Sequence, residues 1–433
     1  MLSTTDRRIR SVALPAIATN VTVPLLGLAD TAITGHLGAA AYIGAVAVGG
    51  MAFNMMYWLL GFLRMATSGL TAQAHGSGNT AMADAVRWQA GSYGLLAGMA
   101  IVVLQWPLLA LIRFFFAPQG EVDTYATTYF LILVWGAPAV LATNSLCGWF
   151  LGMQDARSPM LAAVVQNVVN IALSLLFVIG FGMKIEGVAA GTLLAQWTGL
   201  GVAVWRYRSR YARRAPLLRL RIRGDGRFFS VSRDIFLRTL CLVAVMSWFT
   251  RTGTAFGEVT LAANTVLMQF FIITSYVFDG LANAAEAIGG SLFGARDAAG
   301  LKTLLRRLFV ICAVAAAGFT LCFAIGGAPF IDLLTDRPEV REAARRFLPY
   351  LVGVPAACFT AFLLDGLFIG CTRTRAMLLS VAASALLFFV LLWWLSPTLG
   401  NHALWTAYLA YLFLRGCILL AATPALLREA SAS

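Results

Sequence analysis

Polar and apolar positions along the 433 residues alternate in long blocks, not residue by residue. Twelve apolar runs cover about residues 12–34, 43–69, 85–112, 124–150, 158–181, 185–206, 234–256, 259–290, 303–328, 343–370, 374–396 and 402–426. Each is roughly 20 residues or more, the length a helix needs to cross a hydrocarbon core of about 30 Å. The period-2 alternation of a membrane barrel is absent. The pattern therefore predicts an all-α polytopic membrane protein of twelve transmembrane helices. The first run follows Arg7, Arg8 and Arg10, as a signal peptide would. It continues through Pro15 and Pro24 with no small-residue cleavage pattern, so it is read as a retained span.

Composition agrees: 60% of residues are hydrophobic and 12% charged, against about 25% charged in a typical soluble domain. All seven cysteines (147, 241, 312, 322, 358, 371 and 417) lie in apolar runs without a CxxC pair, which suits small packing residues better than disulfides or metal ligands. His36, His75 and His402 are far apart, so no metal cluster is expected. There is no GxxxxGK[ST] phosphate loop, no HExxH, no GxSxG and no paired DDxxD. ATP is thus not the expected energy source, no cofactor is implied, and an integral-membrane enzyme has no catalytic constellation to support it.

The net charge is +13. With a cytoplasmic N-terminus, 23 of the 32 Lys and Arg fall on the cytoplasmic side and 7 on the other, 11 of the 23 lying between Arg206 and Arg238. This bias predicts that both termini face the cytoplasm. It reads the basic linker as lying over anionic headgroups, with no nucleic-acid partner.

The linker divides two similar halves. "SGLTAQAHGSGN" (Ser68–Asn79) aligns with "EAIGGSLFGARD" (Glu286–Asp297), and "GWFLGMQDAR" (Gly148–Arg157) with "GLFIGCTRTR" (Gly366–Arg375), both at an offset of 218 residues. Gly182, Ala189 and Leu194 fall on Gly400, Ala407 and Leu412 at the same offset. Six spans per half keep both halves in one orientation, a parallel repeat of the kind that encloses a central cavity. The expected organisation is an N-terminal lobe 1–206, a basic linker 207–233 and a C-terminal lobe 234–433.

Four of the 19 acids lie inside spans: Asp30, Asp279, Glu286 and Asp365. An acid at the bilayer centre costs about 2.5–3.5 kcal/mol on insertion scales, so each should face protein or a water-filled cavity. Asp30 has no Lys or Arg within ten positions, and has Gly27 and Thr34 on its own helix face. Low dielectric favours a neutral carboxyl group, whereas an ionised one attracts cations, so proton and organic cation can compete for a single group. Asp279, Asp365 and Arg415 are placed to form one neutralised network, serving either as a coupling site or as a structural ion pair. Glu286 lies near the cytoplasmic end, in a solvated or structural position. Arg64 is close enough to that end to snorkel.

Several motifs resemble those of the multidrug and toxic compound extrusion (MATE) family, DinF-like branch. They are "ALPAIATNVTVPLLGLADTAITGHLG", "FLRMATSGLTAQAHG" and "WFLGMQDARSP" in the first half, and "DGLANAAEAIGGSLFGARD", "LLDGLFIGCTRTR" and "LGNHALW" in the second. The resemblance covers essentially the whole chain. It implies a monomeric secondary antiporter of the cytoplasmic (inner) membrane, with two six-helix lobes, that exports amphipathic, often cationic small molecules against H⁺ or Na⁺. It implies proton coupling at Asp30, with bending of the first helix at Pro15 or Pro24. In the NorM-like branch, second-lobe acids bind the cation, and Asp365 falls on the tenth-helix position. One departure stands out. Asn167 and Asn170 match the fifth-helix pattern, but Ser174 replaces its aspartate, and Gln196 stands where a close relative has an acid. Asp30 is then the sole intramembrane acid of its lobe, and a second coupled charge would come from Asp279 or Asp365. Two further readings are a Na⁺-coupled antiporter using the C-lobe acids and a flippase for a lipid-linked precursor, which would need a cationic cavity.

Overall fold

The structure is a computed structural model that describes residues 4–35, 40–211 and 226–431. The N-terminal half contains α1 (Thr4–Gly35), α2 (Ala40–Leu59), α3 (Phe62–Gly76), α4 (Thr80–Val103), α5 (Gln105–Phe116), α6 (Glu121–Leu133), α7 (Ala137–Gly152), α8 (Arg157–Leu175) and α9 (Ile185–Arg210). The C-terminal half contains α10 (Gly226–Ala255), α11 (Glu258–Ala284), α12 (Gly290–Gly294), α13 (Ala298–Leu334), α14 (Pro338–Gly370), α15 (Thr374–Leu399) and α16 (Asn401–Ser431). Among the described residues there is no strand. All twelve apolar runs are helical. Among the described residues nine spans are long and apolar enough to cross a membrane, and ten if the bent pair α4–α5 counts as one. The protein is an all-α, multi-pass membrane protein. Large apolar side chains such as Phe114, Ile179, Leu333 and Trp393 stand exposed on its surface, as lipid-facing residues do.

Local chemistry explains where the runs break. Pro107 has no N–H for the Val103 carbonyl, and the third run bends by 70° between α4 and α5. Pro138 likewise leaves the Val134 carbonyl without its usual partner. The Ala137 N–H takes it instead, in a 3₁₀ turn over Val134–Gly136. π-turns close the fifth run at Leu176–Gly180 and join α11 to α12 at Ala285–Gly289. α1 runs as one helix through both Pro15 and Pro24.

The 218-residue repeat recurs in the backbone. Gly78 and Arg296 both have positive φ (71° and 57°), as do Gln154 and Thr372 (61° and 52°) and Gly182 and Gly400 (67° and 53°). Asn79 caps α4 by accepting from the Met82 N–H, and its counterpart Asp297 caps α13 by accepting from the Gly300 N–H. Gly148 packs on the backbone of Arg64, and Gly366 packs identically on Ala282.

Two compact units emerge. One comprises Arg233–Ser433 together with Met1–Ile17 and Ala72–Gly78; the other comprises Ala18–Thr71 and Asn79–Ser232. The boundary therefore runs through the middle of α1 and close to the end of α3, not only through the linker. Linker residues 212–225 lie outside the described residues, as does His36. In the first unit, α14 packs against α11, α13 and α16. There the backbone of Gly76 meets that of Ser291, and Gly294 meets Gln73, two contacts that exchange under the repeat. In the second unit the main pairs are α2 with α6, α4 with α7 and α8 with α9. A cluster of Trp149, Phe150, Ala162, Ala203 and Tyr207 anchors that packing.

Candidate functional site

In the second unit the Asp30 side chain is buried, 6% exposed, on α1. One turn later Thr34 donates its hydroxyl to the Asp30 carbonyl at 2.8 Å, which spends the hydroxyl on the helix backbone and leaves the carboxyl group to other partners. Asn170 from α8 and Thr192 from α9 face that carboxyl group. Asn170 Nδ2 donates to Thr192 Oγ1 (2.8 Å), and Thr192 Oγ1 donates onward to the Val188 carbonyl (2.9 Å). Asp30 Oδ1 and Asn170 Oδ1 remain buried without a donor. Buried acceptors ordinarily find a donor. Tyr129 of α6, also buried, lies beside Asp30 and Thr192.

The other residues singled out in this half support the pocket from around it. Asn167, one turn before Asn170 on α8, donates Nδ2 to the Thr22 carbonyl at 2.9 Å, tying α8 to α1. Ser174 is fully buried against Gly191, where even a Cβ would come within 2.5 Å of its hydroxyl oxygen. Gln196, one turn beyond Thr192, presses Oε1 onto Gly136, and that oxygen has no donor.

In the first unit, Asp365 Oδ2 accepts from both Arg238 Nη2 of α10 and Arg415 Nη2 of α16. All three residues are at most 8% exposed. The structure thus pairs Asp365 with Arg415, as expected, but the third member of the network is Arg238 and not Asp279. Asp279 is exposed on α11, between buried Phe278 and buried Gly280. Glu286 is 1% exposed within the π-turn before α12, and its backbone meets Gly370 of α14. Among the described residues no three His, Cys, Asp or Glu side chains group as a metal site.

Comparison with known proteins decides the family. The sequence profile of MatE matches residues 15–176 and 234–394, one block in each half. The chain belongs to the MatE family. It is 38% identical to the DNA damage-inducible protein F of Escherichia coli (strain K12) over 424 residues, 97% of this chain and 92% of the relative. A crystal structure of MATE in the bent conformation superimposes with a TM-score of 0.86 at 18% identity, covering 100% of this chain and 98% of the other. The outward-facing conformation of a multidrug resistance MATE family transporter of the MOP superfamily gives 0.84 at 20% identity, with the same coverage.

In this MatE protein the repeat of the fold does not extend to its chemistry. Asp30 corresponds to Trp248, and Asp365 to Cys147, at the 218-residue offset. Sequence reading missed Thr192, Tyr129 and Arg238. Thr192 had a usable signal, since it precedes Gln196 by four residues and so shares its face of α9.

Proposed function

We propose that this MatE transporter exports amphipathic, often cationic small molecules in exchange for protons, and that Asp30 carries the proton. The observation behind this reading is the donor-poor pocket around Asp30. A proton on Asp30 supplies a donor where the Asp30 Oδ1 and Asn170 Oδ1 oxygens lack one. The chain of bonds from Asn170 through Thr192 to Val188 leaves the Asn170 carbonyl oxygen free to receive it. With Asp30 ionised, rotation of the Asn170 amide would offer Nδ2 to the carboxylate instead. The same carboxylate then attracts a cationic substrate, so protonation from outside releases substrate and loss of that proton admits the next.

The C-terminal half supports H⁺ over Na⁺. Its buried Asp365 is held between two arginines, and the two guanidinium groups repel a metal cation where several oxygen ligands would be needed. In this reading the protein works as a monomer in the inner membrane, and the Lys and Arg bias supports cytoplasmic termini. Sealed vesicles carrying the purified protein test the coupling ion. Ethidium movement driven by an imposed pH gradient should be unchanged when potassium replaces sodium. Transport that requires sodium overturns proton coupling.

A further inference from the structure

The Arg238–Asp365–Arg415 cluster contains more positive than negative charge. Both guanidinium groups bond one oxygen of one carboxylate, and among the described residues neither has another acidic partner. Asp234, one turn before Arg238 on α10, is occupied elsewhere, because its two oxygens accept from Arg233 and from the Thr374 hydroxyl. Asp279 is exposed and Glu286 lies in the π-turn, and no ion pair within 4 Å links either arginine to a second carboxylate among the described residues. One full positive charge is left inside the protein, which is costly unless something neutralises it.

The unfilled donors lie in the same cluster. Arg238 Nε, Arg415 Nε and the Tyr411 hydroxyl are all buried and without an acceptor. The three residues are 8%, 5% and 2% exposed. The Arg415 guanidinium carbon is 5.4 Å from the Tyr411 ring centroid, so these groups are neighbours. Asp365 Oδ1 also lacks a partner; it can take one donor and leaves the charge excess unchanged. We infer that this cluster binds one small monovalent anion of halide size, held by Arg238, Arg415 and Tyr411. Positive charge, unfilled N–H and O–H groups and the absence of a second carboxylate each call for an anion. Burial of all three donors favours a single-atom ion over a larger oxyanion. The inference stands apart from proton coupling at Asp30, because its readout is stability and not transport.

The test uses the full chain, purified and freed of halide by dialysis, with gluconate holding ionic strength constant. An anion bound only by the folded state raises Tm with concentration, on the order of 1–2 °C per tenfold rise in chloride for a chain of this length. The Arg238→Gln and Arg415→Gln variants should show no such rise. If those variants fail to fold, Tyr411→Phe keeps both arginines and removes one donor, and should need several-fold more chloride for the same shift. A wild-type Tm that is equal in chloride and gluconate overturns the site. So does a chloride response that Tyr411→Phe leaves untouched. In crystals grown with bromide, an anomalous peak should lie between the two guanidinium groups, and bromide found only elsewhere overturns the assignment.

Discussion

Arg238 and Asp365, 127 positions apart in the chain, form an ion pair buried inside the C-terminal helices. Arg415 joins them through the same carboxylate oxygen. Breaking a buried pair by removing one partner costs about 3–5 kcal/mol, because the other charge is left unpaired. Asp365→Ala should therefore lower the yield and Tm of the folded protein. Whatever protein does fold should still move protons against substrate with the parental ratio, as measured in vesicles. Loss of coupling at normal stability would instead make Asp365 a coupling residue.

The Asn170–Thr192 bond predicts a subtler effect. Thr192→Val keeps the shape but removes the hydroxyl that receives Asn170 Nδ2. A buried hydrogen-bond partner is worth about 1–3 kcal/mol when lost. The pH at which ethidium export is half-maximal should shift relative to the parent, while protein level in the membrane stays near normal. An unchanged pH profile would remove Thr192 from the site.

Gly76 and Gly294 should behave as a pair. A Cβ on Gly76 would fall 1.8 Å from the Ser291 carbonyl oxygen, and one on Gly294 would fall 2.2 Å from that of Gln73. Backbone cannot yield as a side-chain tip can, and overpacking of this sort costs about 1–3 kcal/mol. Gly76→Ala and Gly294→Ala should both lower Tm, whereas Gly318→Ala, which meets nothing within 4 Å, should not.

Asp155 lies in the "WFLGMQDARSP" motif and gathers four donors. The Ser158 N–H and hydroxyl bond it at 3.2 and 2.7 Å, Arg210 at 2.9 Å and the Tyr211 hydroxyl at 3.2 Å. It thereby joins the start of α8 to the end of α9. Burial and the neighbouring Asp155 carboxylate push the Tyr211 phenol well above its ordinary range, so it stays a donor at every physiological pH. Asp155→Asn should cost about 1–3 kcal/mol of stability, readable as a lower Tm, with transport per folded molecule preserved.

How much of this was legible beforehand differs by level. Apolar runs determine helices directly, because in lipid every backbone group must bond within its own segment. The repeat offset, read from glycine-rich motifs, recurs in paired positive-φ positions, only some of them glycine, and in close glycine contacts between helices. The Asp30 pocket was half legible: Asn170 carried a pattern, but Thr192 and Tyr129 are ordinary helix residues whose meeting depends on how α6, α8 and α9 cross. Arg238 was hidden by a boundary. The charge bias counts it with the cytoplasmic basic cluster, yet α10 starts at Gly226 and places it three turns inside a helix. Asp279 reads as a member of the Asp365 network, but it is exposed on α11, between buried Phe278 and buried Gly280.

Proton flux in vesicles carrying Asp30→Asn tests the central claim most directly. On addition of ethidium, wild-type vesicles should release or take up protons in step with substrate movement. Asp30→Asn vesicles, containing the same amount of folded protein, should show neither ethidium transport nor the linked proton flux. Exchange of ethidium for protons at the parental rate in that variant would contradict the assignment of proton coupling to Asp30.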